Sequence, residues 1–289
     1  MSRHFIALPL TLLSFGDAQN SPTESKPLIR QVDHVLIKVA DPEPLFKLLS
    51  QTLELPVAWP LKSYGFFASG GVFAGNVNLE VLRMGPVAEK SGGNALVPRL
   101  YGIAFEPVDT IESSVRILDD RALTHGPALP MSGIRPNGEQ GVLWTNVYLH
   151  DLHIPDTMMF LCQYSWDVEE RGELLRAELR SRSEKTLGLL GVKEIVIGVT
   201  EFEQARRQWA RHLHPIQPSA DGVWPIGHGP AIRLVRDGKD RIRAVVLRVS
   251  SLPQAKRFLA RKGLLGASTP DKVSLAGAIV GELDIQLIE

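Results

Sequence analysis

Cysteine is almost missing from this chain: Cys162 is the single one in 289 residues, which excludes an internal disulfide and any thiolate cluster for zinc. An excess of either charge is missing too. Lysine plus arginine and aspartate plus glutamate each number 32, so no basic footprint for nucleic acid or for an anionic membrane exists, and the expected partner is a small molecule. There is no Gly-rich phosphate loop, no GxSxG elbow and no HExxH pair, and the GHG at Gly227 to Gly229 reads as a turn. No segment after the N-terminus approaches the length of a transmembrane helix.

What is present begins with an N-terminal extension, 1–29. A basic start at Arg3, an apolar run from Phe5 to Phe15 and small residues at Gly16 and Ala18 fit a signal peptide over 1–18, followed by a polar linker. Pro9 interrupts the run, so a cytoplasmic protein with a plain N-terminal tail stands beside the exported alternative. The remainder is long and apolar enough, at 44% hydrophobic residues, to bury two ordinary cores or one large one.

Repetition organises that remainder. Four strand-to-helix junctions superimpose: DHVLIKVADPEPLFKLL, YGIAFEPVDTIESSVRIL, KEIVIGVTEFEQARRQW and RAVVLRVSSLPQAKRFL. In the first, Asp41 caps and Pro42 opens a helix with the stripe Leu45, Leu48, Leu49 and Leu53. The second carries Ile111, Val115 and Leu118. The third has Thr200 and Glu203 as a capping box over Phe202, Ala205, Trp209 and Leu213. The fourth buries Leu252, Ala255 and Leu259 and stops at Gly263. After each helix, short strands return between Gly and Pro turns, so each unit is βαβββ. The predicted class is α+β, with two tandem domains of curled mixed sheets over 30–167 and 188–289, joined by a charged helical linker over 168–187.

The first unit carries the polar residues of interest. Strand periodicity places His34, Leu36 and Lys38 on one face of its opening strand and Asn76, Asn78 and Glu80 on one face of its closing strand, while Val35, Ile37, Val39, Val77, Leu79 and Val81 form the apolar faces. A sheet covered by a helix on its apolar side can line a cup with its polar side. A lone strand histidine is ordinarily a packed or hydrogen-bonded residue, and Lys38, Asn76 and Asn78 either orient a substrate or form the wet face of a strand. His150 and His153 flank Asp151 at a spacing that suits either chelation or a polar turn. His212, His214 and His228 read as solvated.

With DHVLIKVADPEPLF opening, NVNLEVL closing and four such units, the chain resembles the vicinal oxygen chelate superfamily, which includes glyoxalases, bleomycin-resistance proteins and extradiol dioxygenases. The resemblance implies paired glyoxalase-like modules that curl around a cup holding a divalent metal, Fe, Mn, Zn or Ni, on a first-strand His and a last-strand Glu. His34 and Glu80 match those two positions. The positions matching His34 elsewhere hold Gly102, Glu194 and Ala244, and those matching Glu80 hold Cys162, Arg233 and Gln286, so the third metal ligand would be Cys162, a neighbouring-strand residue such as His150, or water. Glu194 and Arg233 are expected to fill the second cup as an ion pair. The resemblance implies a metal-dependent oxygenase, isomerase or lyase with Glu80 as base, and their places on the polar faces and in the cup make Lys38, Asn76, Asn78 and Trp144 the expected substrate-binding residues. Its alternative is a metal-free binding or sequestering protein that stacks a ligand on Tyr64, Phe66, Phe67 and Trp144. Modules of this kind can be exchanged between subunits, so a homodimer sharing cups is an alternative to cups within one chain.

Overall fold

The computed structural model describes residues 26–85, 97–135, 137–167, 169–183 and 186–289, which leaves the signal-peptide segment outside the described residues. The first unit runs β1 (Ile29–Lys38), α1 (Pro42–Lys47), β2 (Val57–Ser63), β3 (Phe67–Phe73) and β4 (Asn78–Met84). The second runs β5 (Arg99–Pro107), α2 (Ile111–Asp120), β6 (Leu129–Ile134), β7 (Gln140–Tyr148) and β8 (Met158–Tyr164). Helix α3 (Glu169–Arg182) leads to β9 (Leu189–Val199), α4 (Phe202–Leu213), β10 (Val223–Trp224) and β11 (Ala231–Arg236). The last unit is β12 (Arg241–Val249), α5 (Leu252–Arg261), β13 (Leu265–Ser268), β14 (Lys272–Leu275) and β15 (Ile285–Ile288). Three units are βαβββ as expected. The third is βαββ among the described residues, with a two-residue β10.

Two mixed sheets result, of order β2-β3-β4-β1-β5-β8-β7-β6 and β10-β11-β9-β12-β15-β14-β13. In every unit the first and last strands pair in parallel, and the two units of a sheet join through an antiparallel pair of first strands. The helix stripes behave as their spacing requires: Leu45, Leu48, Leu49, Leu53, Ile111, Leu118, Leu252, Ala255 and Leu259 are all buried. Asp41 caps α1 by accepting from the Glu43 amide at 3.2 Å. The capping box expected at α4 does not form. Thr200 instead donates its hydroxyl to Asp240 at 2.9 Å, and Glu203 turns to Arg236 at 3.4 Å.

One large core lies on the helix-covered sides of both sheets and runs from Leu28 to Leu287 without a break between the halves. Trp209 of α4 meets Phe105 of β5 edge-on at 6.2 Å, so the third unit's helix helps cover the first sheet. Smaller apolar clusters line the opposite, concave faces. No helix among the described residues is long and apolar enough to cross a membrane.

Candidate functional site

The concave face of the first sheet carries a chain of hydrogen bonds centred on His34. A register irregularity in β1 between Val32 and His34 lets Asp33 reach the same side as its neighbour. Asp33 Oδ2 lies 2.5 Å from His34 Nδ1, and Glu80 Oε2 lies 3.2 Å from His34 Nε2. Ser69 donates to the other Glu80 oxygen at 2.5 Å and accepts from the Trp59 indole at 2.9 Å. Tyr164 donates to Asp33 at 3.3 Å. Five strands, β2, β3, β4, β1 and β8, thus contribute to one network.

His34 is only 5% exposed. Burial on its own would push the imidazole down, but hydrogen bonds and charge from Asp33 and Glu80 outweigh it and raise its pKa to about 10. The ring is an imidazolium clamped between two carboxylates, and Trp59 and Phe160 meet it edge-on at 6.1 and 5.8 Å. Around this network lie Leu36, Leu82, Ala104, Phe160 and Cys162, with Phe67, Tyr101, Trp144, Tyr148 and Met158 packed against them. The site is therefore a charged triad on an aromatic floor.

Ladder register fixes which residues occupy equivalent floor positions. Leu36, two residues after His34, lies opposite Glu80. Ala104, two residues after Gly102, lies opposite Phe160, not Cys162. The expectation for Cys162 at this position is thus corrected by two residues. Slipping a strand by two leaves every side chain on its own face, so the hydrophobic pattern cannot detect the error. In the second sheet the same relation sets Val196 opposite Arg233 and Val246 opposite Gln286, as the sequence implied.

These positions decide whether the residues suit a divalent metal. Of the four in the first cup, His34 and Glu80 are donors, and they already bind one another. Gly102 has no side chain and no space for one, since a Cβ there would lie 2.5 Å from the Met158 carbonyl oxygen. Phe160 fills the fourth with a phenyl ring. Cys162 remains on the cup face but is buried, and burial followed by the charges of Asp33 and Glu80 pushes its thiol well above the usual range, so it is held as a neutral thiol. His150 is exposed at the start of the short turn His150–Leu152, beyond the end of β7, and forms no ligand group with His34. Among the described residues no three His, Cys, Asp or Glu side chains converge as a ligand group. The residues do not fit a metal held by three protein ligands.

The expected substrate residues divide. Lys38 lies on the cup face with its ammonium 4.7 Å from the centre of the Tyr101 ring. Asn78 lies beside His34 in the β1·β4 ladder with its Oδ1 buried and unpartnered, and Trp144 sits on β7 opposite Tyr164. Asn76 does something else: it accepts from the Val192 amide at 2.8 Å and donates to the carbonyls of Val192 and His228 at 3.0 and 3.2 Å, stitching the two halves together. Phe67 packs into the cup, whereas Tyr64 and Phe66 are exposed at 44% and 67%.

In the second sheet Glu194 and Arg233 form the expected ion pair, both Nε and Nη2 lying 2.9 Å from one carboxylate oxygen. It occupies the positions that His34 and Glu80 hold in the first, above small apolar residues, Val196, Ala244 and Val246. His212, read as solvated, is fully buried on the inner side of α4, with Nδ1 on the Gln208 carbonyl at 2.9 Å.

No family model matches the sequence, and no curated protein matches it. Solved structures do match in fold. A hypothetical protein from Staphylococcus aureus superimposes with a TM-score of 0.59 at 12% identity, over 89% of this chain and 98% of that one. A homoprotocatechuate 2,3-dioxygenase from B. fuscum gives 0.61 at 11% identity, over 93% and 73% of the two chains. The 2,3-dioxygenase LapB from Pseudomonas sp. KL28 gives 0.54 at 10%, over 90% and 93%. At such identities the likeness concerns fold alone, and the fold is that of the extradiol dioxygenases: an α+β chain of two curled mixed sheets.

Proposed function

We propose that this chain is a small-molecule binding protein whose first cup works without a metal. The observation that supports this most is the filling of the four equivalent floor positions by His34, Glu80, Gly102 and Phe160, two of which offer no donor. Both nitrogens of His34 are engaged by carboxylates, so the imidazolium supplies inside the protein the positive charge that an ion would otherwise bring. Glu80 is likewise occupied at both oxygens, by Ser69 and His34, which leaves it poorly placed as a base. Over the buried floor, Tyr101, Trp144 and Tyr148 are partly exposed rings of the kind that small ligands stack against.

Elemental analysis tests the reading. Purified chelator-free protein, offered Fe(II), Mn(II), Ni(II) and Zn(II) in turn and desalted, is expected to retain far less than one ion per chain. Near-stoichiometric retention that disappears in His34→Ala would overturn it and restore the metal-dependent enzyme that the resemblance implies.

A further inference from the structure

The geometry points to a bipolar ligand for the first cup: an elongated aromatic molecule with an anionic group at one end and a hydrogen-bond-donating amine at the other. This rests on the cup being a ligand site, and it comes from the distribution of charge along β1.

At one end of the strand Lys38 stands opposite Arg99 in the β1·β5 ladder, and the two cations flank the same Tyr101 ring, at 4.7 and 5.6 Å from its centre. Lys38 has no carboxylate partner among the described residues. Among the described residues Arg99 pairs only with Asp156, at 3.8 Å and with its side chain 79% exposed, a pair that water screens heavily. At the other end Asp33 and Glu80 bring two carboxylates to one imidazole, so that end is negative whether or not His34 is protonated. Glu106, further along the same face of β5, is matched by Arg30 at 3.2 Å and Gln31 at 2.7 Å and adds nothing to the imbalance.

Between the poles the floor is apolar, with Leu36, Leu82, Ala104 and Phe160 all buried. Four residues of strand separate His34 from Lys38, about 13 Å, the span of one aromatic ring with a short chain. The acceptors at the negative end are the carboxylates of Asp33 and Glu80, which an amine N–H on a ligand would meet.

Calorimetric titration with three probes tests this: 4-phenylbutyrate, 4-phenylbutylamine and 4-(4-aminophenyl)butyrate, at low ionic strength. The third, which can satisfy both ends, is expected to bind about tenfold more tightly than either of the others. Lys38→Gln should weaken both carboxylates about tenfold and leave the amine unchanged, with circular dichroism confirming the fold. Binding of all three with equal affinity, or carboxylate binding indifferent to Lys38→Gln, overturns the bipolar assignment and leaves the binding reading standing. No heat from any probe with the wild-type protein overturns both.

Discussion

His34 is the residue on which the first cup turns, because its charge is held in place by neighbours on both sides. With a pKa near 10 against an ordinary 6.5, its protonated form stabilises the fold fully below about pH 6.5, and that contribution is lost as pH rises through about 10. Stability to urea should therefore decline over that window by an amount on the order of a few kcal/mol. Imidazole carbon shifts followed by NMR should show His34 still protonated at pH 8.5, and Asp33→Asn should bring its titration down toward the ordinary histidine range. A wild-type midpoint near 6.5 would refute the clamped imidazolium. His34 and Glu80 were legible in the sequence because strand periodicity places each on the polar face of its strand. Asp33 was not. Simple alternation sends it to the opposite face, and only the irregularity in β1 returns it to the cup. Ser69, Trp59 and Tyr164 were equally hidden, since their roles depend on which strands become neighbours.

At the scale of elements, helices and their buried stripes were readable because a 3.6-residue spacing of leucines has few other solutions. Pairing register was not, as Phe160 shows: it stands where Cys162 was expected, and a two-residue slip preserves the pattern of faces. The α4 capping box failed for a related reason, because Asp240, distant in sequence, takes the Thr200 hydroxyl and amide at 2.9 and 2.6 Å. The charged linker did become a helix, yet it is more than a tether. Leu175 and Leu179 of α3 are buried, and Arg171 donates through Nε to the Ala58 carbonyl of β2 at 2.9 Å. Leu175→Ala should consequently cost about 2 kcal/mol, read from the urea midpoint at unchanged m-value; an unaltered midpoint would show that α3 is only loosely docked. Gly102 carries the sharper test. Gly102→His supplies the side chain that a complete ligand set would need, but its Cβ would press on the β8 backbone. A cost of about 3 kcal/mol and no bound metal are expected. A well-folded variant loaded with metal would show the β5·β8 contact to be yielding.

Across the whole molecule, the two sheets are tied by close backbone approaches that only glycine permits. A Cβ on Gly75 would lie 2.7 Å from Gly191 Cα, and one on Gly227 would collide with the Arg30 carbonyl oxygen. Asn76 sits at the first of these contacts, and the GHG turn, legible only as a turn, forms the second by packing on the start of β1. Arg121 and Arg211 exchange bonds with one another's backbone at 3.3 and 2.8 Å, and the core continues through Trp209. Each half covers part of the other, so the halves should unfold together in one transition. Gly227→Ala sets a methyl group against a β1 carbonyl and also disfavours the backbone there, where φ is +53°. The variant should lose several kcal/mol in urea, and its single transition should split into two, monitored by tryptophan fluorescence and far-ultraviolet circular dichroism. Because Trp59, Trp144 and Trp166 lie in the first half and Trp209 and Trp224 in the second, fluorescence and dichroism will diverge if the seam has been what couples the halves. Coincident curves at the wild-type midpoint would assign the coupling to the shared core alone, with β1 and the GHG turn merely touching.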